Sequence, residues 1–293
     1  MSNYWELTKT LPIKVNQEIV GEFLMSLKIL NRSKNTIKVY RFFLERFFGE
    51  MKEPFTLLSS HTILEWFQHN EAHHSQATLR LRLSILSSFY NFCVAEELVE
   101  VSPVKSRWFP RLPQSIPKYL EKGEIAKMRS QSELMSLRNQ VLVEFMLTTG
   151  CRVSEVSELN KEDVDLENRI ARVVGKGKKI RYVHFTEKCA YLLERYFSVR
   201  PTFPNSLFIS WKGKRLSVRT IQDIIRKIGE DAGLSSSLNP HRLRHTFATE
   251  LLAKGAELSF IGDELGHRDI RTTQIYARLP KREIMVLYRK YMG

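Results

Sequence analysis

The chain has 293 residues, enough for two cores of ordinary size, and carries 46 Lys and Arg against 32 Asp and Glu, a net charge of +14 with a pI near 9.7. Such an excess of cations points to a polyanion or an anionic membrane surface as partner, and the composition is that of a soluble globular protein. No stretch approaches the roughly 18 apolar residues of a membrane span, and the opening MSNYWELTKT lacks the apolar core of a signal peptide. A cytoplasmic protein with a nucleic-acid partner, and not a membrane protein, is the simpler reading.

Residues 1–102 are expected to be mostly helical, with segments near 16–30, 35–49, 61–70 and 76–97 forming one small bundle. In the second segment Ile37, Tyr40, Phe43 or Leu44 and Phe47 make the apolar stripe, with Lys34, Lys38, Arg41 and Arg46 around it. In the fourth, Leu79, Leu83, Leu86, Tyr90 and Cys93 keep a stripe while Arg80 and Arg82 fall on other faces. Any one of these cations is usually just a solvated charge. As a set, Lys34, Lys38, Arg41, Arg80 and Arg82 suit tracking a phosphate backbone. His73 and His74 adjoin on a polar stretch and offer no further metal ligands.

Residues 103–117, PVKSRWFPRLPQSIP, hold four of the ten prolines with Lys105, Arg107 and Arg111 between them. This reads as a basic linker, either an extended strap between two lobes or a strap laid against one of them.

Residues 118–293 form the second lobe. Leu120 to Met128 and Asn139 to Leu147 read as helices, the latter apolar enough to be buried, and Thr148-Thr149-Gly150 breaks it. In CRVSEVSEL a helix restarts with Val153, Val156 and Leu159 inward, and Arg152 and Glu155 on one side near its start. An arginine at the positive end of a helix dipole is poor for folding and good for holding an anion, and Glu155 is placed to orient it. Arg169 to Val174 and Ile180 to Phe185 alternate as a hairpin whose tip, GKGKK, bears Lys176. That tip lacks the strand-to-helix setting of a nucleotide-binding loop. Asp163 and Asp165 read as turn residues before the hairpin, since no third acid stands at a metal-binding spacing. Glu187 to Val199 and Val218 to Ala232 are further helices. Cys93, Cys151 and Cys189 are widely separated and read as reduced packing residues.

Asn239 to Tyr276, NPHRLRHTFATELLAKGAELSFIGDELGHRDIRTTQIY, is the most informative stretch. Asn239 suits a helix cap and Pro240 its first turn. At helical spacing Leu243, Phe247, Ala248, Leu251 and Leu252 share one arc, and His241 and Arg244 fall inside it. A cation aimed at a core requires an internal carboxylate or a bound oxyanion. A second amphipathic helix through Leu258, Ile261 and Leu265 stops at Gly266, followed by His267 and then Tyr276. A guanidinium, imidazoles and a phenol thus lie close in sequence. The tail 280–293 starts with Pro280 and carries Ile284, Leu287, Tyr288 and Tyr291 as a stripe that must dock on its own domain or a neighbour's.

TGCRVSEVSEL, GKGKK, HRLRHTFAT, LGH and QIY, in this order, resemble the tyrosine recombinases, the integrase family of site-specific DNA recombinases. The two-lobed length looks most like the Xer type or the recombinases that resolve transposon cointegrates. The resemblance implies a mainly α fold with a small β component (α+β), a helical core-binding lobe over 1–102, the linker 103–117, and a mixed catalytic lobe over 118–293 with a C-terminal exchange helix at 280–293. It implies Tyr276 as nucleophile, Arg152 and Arg244 as phosphate clamp, Lys176 as general acid, His241 and His267 as a supporting pair, and Glu155 behind them. Double-stranded DNA with specific sites would be the partner, bound by a homotetramer or by a heterotetramer with a related recombinase, with neither cofactor nor metal. One departure stands out: Glu250 lies where many relatives carry a histidine, outside the expected catalytic set. Competing classes are a type IB topoisomerase, a non-enzymatic architectural DNA-binding protein and a metal-dependent nuclease.

Overall fold

The computed structural model describes residues 3–113, 118–175, 177 and 179–266. The chain divides into two units, Met1–Gln114 and Ser115–Gly293.

The first unit contains α1 (Lys14–Ile29), α2 (Lys34–Glu50), α3 (Ser60–Glu71) and α4 (Gln76–Ala95). Three of them start on one local device. Ser33, Ser59 and Ser75 each accept a hydrogen bond from the backbone N–H three residues on, at 3.1, 3.1 and 3.3 Å, satisfying donors that a first helical turn leaves orphaned. The apolar stripes close on a core in which Phe47, Phe48, Phe89 and Tyr90 are fully buried. Phe48 meets both Phe47 and Phe89 edge-on at 5.0 Å between centroids.

Two cations expected on a backbone-tracking surface are used inside this unit instead. Arg41 donates through Nη1 to the Glu6 carbonyl at 2.9 Å and lies 4.0 Å from Glu45, with its side chain only 16% exposed. It ties the N-terminal segment to α2. Arg82 pairs with the buried carboxylate of Glu71, which Arg46 also meets at 3.2 Å; a buried carboxylate is tolerable only with such partners. Lys34, Lys38, Arg80, Arg107 and Arg111 are exposed and Lys105 is half-buried. Of the two arrangements open for residues 103–117, those through Phe109 take the strap laid on a lobe: Val104 is buried, and Trp108 and Phe109 pack against the core. The short 3-10 turn Ser106–Trp108 lies between them, and residues 114–117 lie outside the described ones.

The second unit contains α5 (Lys122–Glu133), α6 (Leu137–Thr149), α7 (Val153–Glu158), a three-stranded antiparallel sheet, α8 (Glu187–Val199), α9 (Val218–Asp231), α10 (Pro240–Ala253) and α11 (Leu258–Leu265). The sheet order is β1 (Val164–Asp165), β2 (Ile170–Val174), β3 (Ile180–His184), with Ala171 opposite Val183 and Val173 opposite Arg181. Only two of these strands carry enough alternation to be expected from sequence; β1 is two residues long. Helix α6 is the spine, its Val141, Leu142, Val143, Phe145, Met146 and Leu147 all buried, with α5, α8 and α10 packed around it. Its apolar residues on every side are the pattern of a helix surrounded by others.

Candidate active site

Helix α10 opens as expected. Asn239 Oδ1 accepts the Arg242 N–H at 3.0 Å and Pro240 occupies the first turn. Arg244 is buried, at 5% exposure. Its Nη1 donates to the Gly150 carbonyl and its Nη2 to the Leu265 carbonyl, both at 2.7 Å. These are the ends of α6 and α11, where helices leave carbonyls unsatisfied and the dipole is negative. Gly150 closes α6 at φ +59°, and a Cβ there would sit 2.4 Å from Phe247 Cδ1. Gly150→Ala is therefore expected to destabilise the unit by about 2 kcal/mol or more, read as a lowered thermal midpoint; an unchanged midpoint would mean that α10 yields without cost.

Arg152 precedes α7. Glu155 Oε2 accepts the Arg152 backbone N–H at 2.8 Å and Glu155 Oε1 accepts Arg152 Nη1 at 3.0 Å, so this carboxylate orients Arg152 as its spacing suggested. Arg152 Nη1 also donates to the Leu265 carbonyl at 3.4 Å. Two guanidinium groups therefore meet one oxygen at the end of α11. Arg152 stays one-third exposed, with 33% of its side chain accessible.

A third arginine, not singled out from sequence, completes the group. Arg181 on β3 donates through Nη1 and Nη2 to the two oxygens of Glu155, at 2.8 and 2.9 Å, and through Nε to the Glu264 carbonyl at 3.0 Å. Burial pushes the Glu155 carboxyl up, but the Arg181 hydrogen bonds and charge, then the backbone bond and charge of Arg152, bring it below its ordinary 4.5. The alternation of IRYVHF does carry a signal, because it puts Arg181 on the face of Val183 and Phe185, both buried. His184, on the other face, reaches the Glu264 carboxylate at 2.7 Å and fastens β3 to α11 again.

His241 differs from expectation. It is exposed, not part of the buried arc, because the first turn of α10 stands at a surface cavity lined also by Val153, Arg219 and Arg226. The same cavity is lined by Val153, the first residue of α7. The neighbouring Arg242 is the buried one, at 5% exposure; its Nη2 meets both Glu124 oxygens at 2.8 Å and pins α10 to α5. Lys176, His267, Tyr276 and the tail 280–293 lie outside the described residues. The described residues flanking them are Gly175, Gly177 and Gly266, the last at φ +62°.

Asp163 accepts the Asn160 N–H and Arg172 Nη2, and Asp165 accepts the Asn168 N–H, so both shape turns. All three cysteines are buried, and burial pushes the thiols of Cys93 and Cys151 up to about 12, as expected of packing residues. Among the described residues no helix is long and apolar enough to cross a membrane.

A mostly helical lobe with a small antiparallel sheet thus gathers three guanidinium groups, those of Arg152, Arg181 and Arg244, at the end of α11. The chain belongs to the phage integrase family: the family's model matches residues 118–283, and that of its N-terminal SAM-like domain matches residues 20–97. It is thus a tyrosine recombinase, an enzyme of site-specific recombination, as the five motifs suggested. It is 36% identical over 218 residues to the tyrosine recombinase XerC of Proteus mirabilis, covering 72% of this chain and 71% of that one. It is 32% identical over 288 residues to the XerC of Leptospira interrogans, covering 93% and 92%. In fold it is similar to a XerH site-specific recombinase bound to a palindromic difH substrate in a post-cleavage complex, with a TM-score of 0.75 at 20% identity over 99% of this chain and 92% of that one.

Proposed function

We propose that Arg152 and Arg244 grip one phosphodiester of double-stranded DNA while Tyr276 attacks its phosphorus. The observation that carries this reading is the meeting of both guanidinium groups on the Leu265 carbonyl, two residues before His267 in sequence. A phenol with a pKa of about 10 is a weak nucleophile at neutral pH, and adjacent cations favour the phenolate as its proton leaves. The tyrosine oxygen bonds to phosphorus as the bond to the 5′-oxygen breaks. Lys176 gives that oxygen a proton, leaving a 3′-phosphotyrosyl link and a free 5′-hydroxyl. His241 and His267 support the phosphate, and Glu155 orients Arg152.

The link conserves the phosphodiester's free energy, so a partner strand's 5′-hydroxyl reverses the step on another duplex without ATP or metal. Exposed Lys34, Lys38, Arg80, Arg107 and Arg111 in the helical lobe and linker would meet the phosphate backbone. The tail 280–293 would dock on a neighbouring subunit in a homotetramer, or in a heterotetramer with a related recombinase, working in the cytoplasm.

A suicide-substrate library, with chelator present, tests the reading. Covalent protein–DNA complexes are expected, and sequencing of the trapped DNA should return one family of sites. Trapping without sequence preference would favour topoisomerase chemistry, loss with chelator a metal-dependent nuclease, and binding without any covalent complex an architectural protein.

A further inference from the structure

We infer that Arg181 is a positioning residue for strand cleavage, a single side chain that fixes the Glu155 carboxylate holding Arg152, the base of the hairpin tip at Gly175 and the end of α11 at Gly266 relative to one another. The inference rests on the phosphotyrosyl reading above. Arg181 stands on the inward face of β3, opposite Val173 and two residues from Val183, where an apolar residue would be the ordinary choice. All three of its guanidinium nitrogens are engaged and its side chain is 14% exposed.

Each engagement leads to a different part of the site. Through the fork on Glu155 it fixes the carboxylate that holds Arg152. The same ion pair backs Gly175, where a Cβ would lie 3.4 Å from Glu155 Oε1 and 3.5 Å from Arg181 Nη1. Gly175 closes the hairpin tip by donating to the Lys179 carbonyl at 2.7 Å, and the next residue in sequence is Lys176. Through Nε it caps α11 at the Glu264 carbonyl, and its stem lies against Gly266, where a Cβ would be 3.0 Å from Arg181 Cδ. The next residue is His267. Arg181 needs no contact with DNA to act; it sets the distances between groups that do, and misplacement on the order of 1 Å at such a site costs about 10²-fold in rate.

A purely architectural role would make the same contacts and is separated by its readout. Arg181→Met keeps much of the stem against Gly266 and removes the fork; Arg181→Lys keeps the charge but cannot span both carboxylate oxygens and a carbonyl. With full-length protein and the duplex returned by the library, binding is measured by gel shift and cleavage by single-turnover covalent trapping at saturating protein. Arg181→Met is expected to bind within about threefold of wild type and to cleave at least about 30-fold more slowly, with Arg181→Lys recovering part of the rate. Cleavage within threefold of wild type would overturn the inference, as would binding and cleavage falling in equal proportion. If Arg181→Met does not fold, Arg181→Lys decides on the same two measurements, and wild-type cleavage by it counts against. Tyr276→Phe is the control: covalent trapping by that variant would sink the underlying reading, whereas normal cleavage by Arg181→Met beside an inert Tyr276→Phe would sink only this one.

Discussion

Replacing Arg244 with lysine is expected to slow single-turnover DNA cleavage by about 10²- to 10³-fold while changing DNA affinity less than about threefold. Arg244 is 5% exposed, and its guanidinium is held at 2.7 Å by carbonyls at the ends of two different helices. Those two bonds fix its plane. A planar fork so fixed presents its donors at a set angle to an oxyanion, and the bonds strengthen as charge builds at phosphorus. An ammonium keeps the charge, so long-range attraction to DNA persists. It cannot hold the Gly150 and Leu265 carbonyls and an oxyanion in one geometry. Lysine is a cleaner probe than methionine, which would leave two helix ends without their donor. Cleavage within tenfold of wild type would make Arg244 a strut between α6, α10 and α11 and no more.

Much of this was legible in the sequence, and the failures share a cause. The glycine ends of α6 and α11 and the buried run of α6 are local signals, and the structure follows them. Arg244 was legible because a cation stood at apolar spacing. Arg181 carried the same signal but was hidden, since Ile180 and Tyr182 make the opposite face of β3 look equally apolar; both are 57% exposed. On α10, Arg242, Thr246 and Thr249 are buried along with Leu243 and Phe247, so no single arc describes it and His241 was placed inward. Arg41 and Arg82 looked like surface charge because their partners, the Glu6 carbonyl and Glu71, come from other segments. Helical periodicity reports a face, not what another segment brings to it.

Tyr276→Phe is expected to lower covalent complex formation by at least about 10⁴-fold, the largest effect of any single substitution here. The change deletes one oxygen and leaves the +14 chain its charge, so DNA binding should be unchanged. The clamp would remain, and a preorganised site lacking its nucleophile keeps some catalysis with water as the attacking group. Any residual nicking should therefore leave free DNA ends and no protein attached. The wild-type adduct gives the complementary test: Tyr276 lies between Arg271 and Arg278, so trypsin should release the modified tyrosine within the peptide Thr272 to Arg278, identified by mass spectrometry after nuclease trimming. A nucleotide mass on a tail peptide bearing Tyr288 or Tyr291 instead would move the nucleophile away from the segment that follows Gly266. The guanidinium groups gathered at the end of α11 would then hold a phosphate that some other segment must reach.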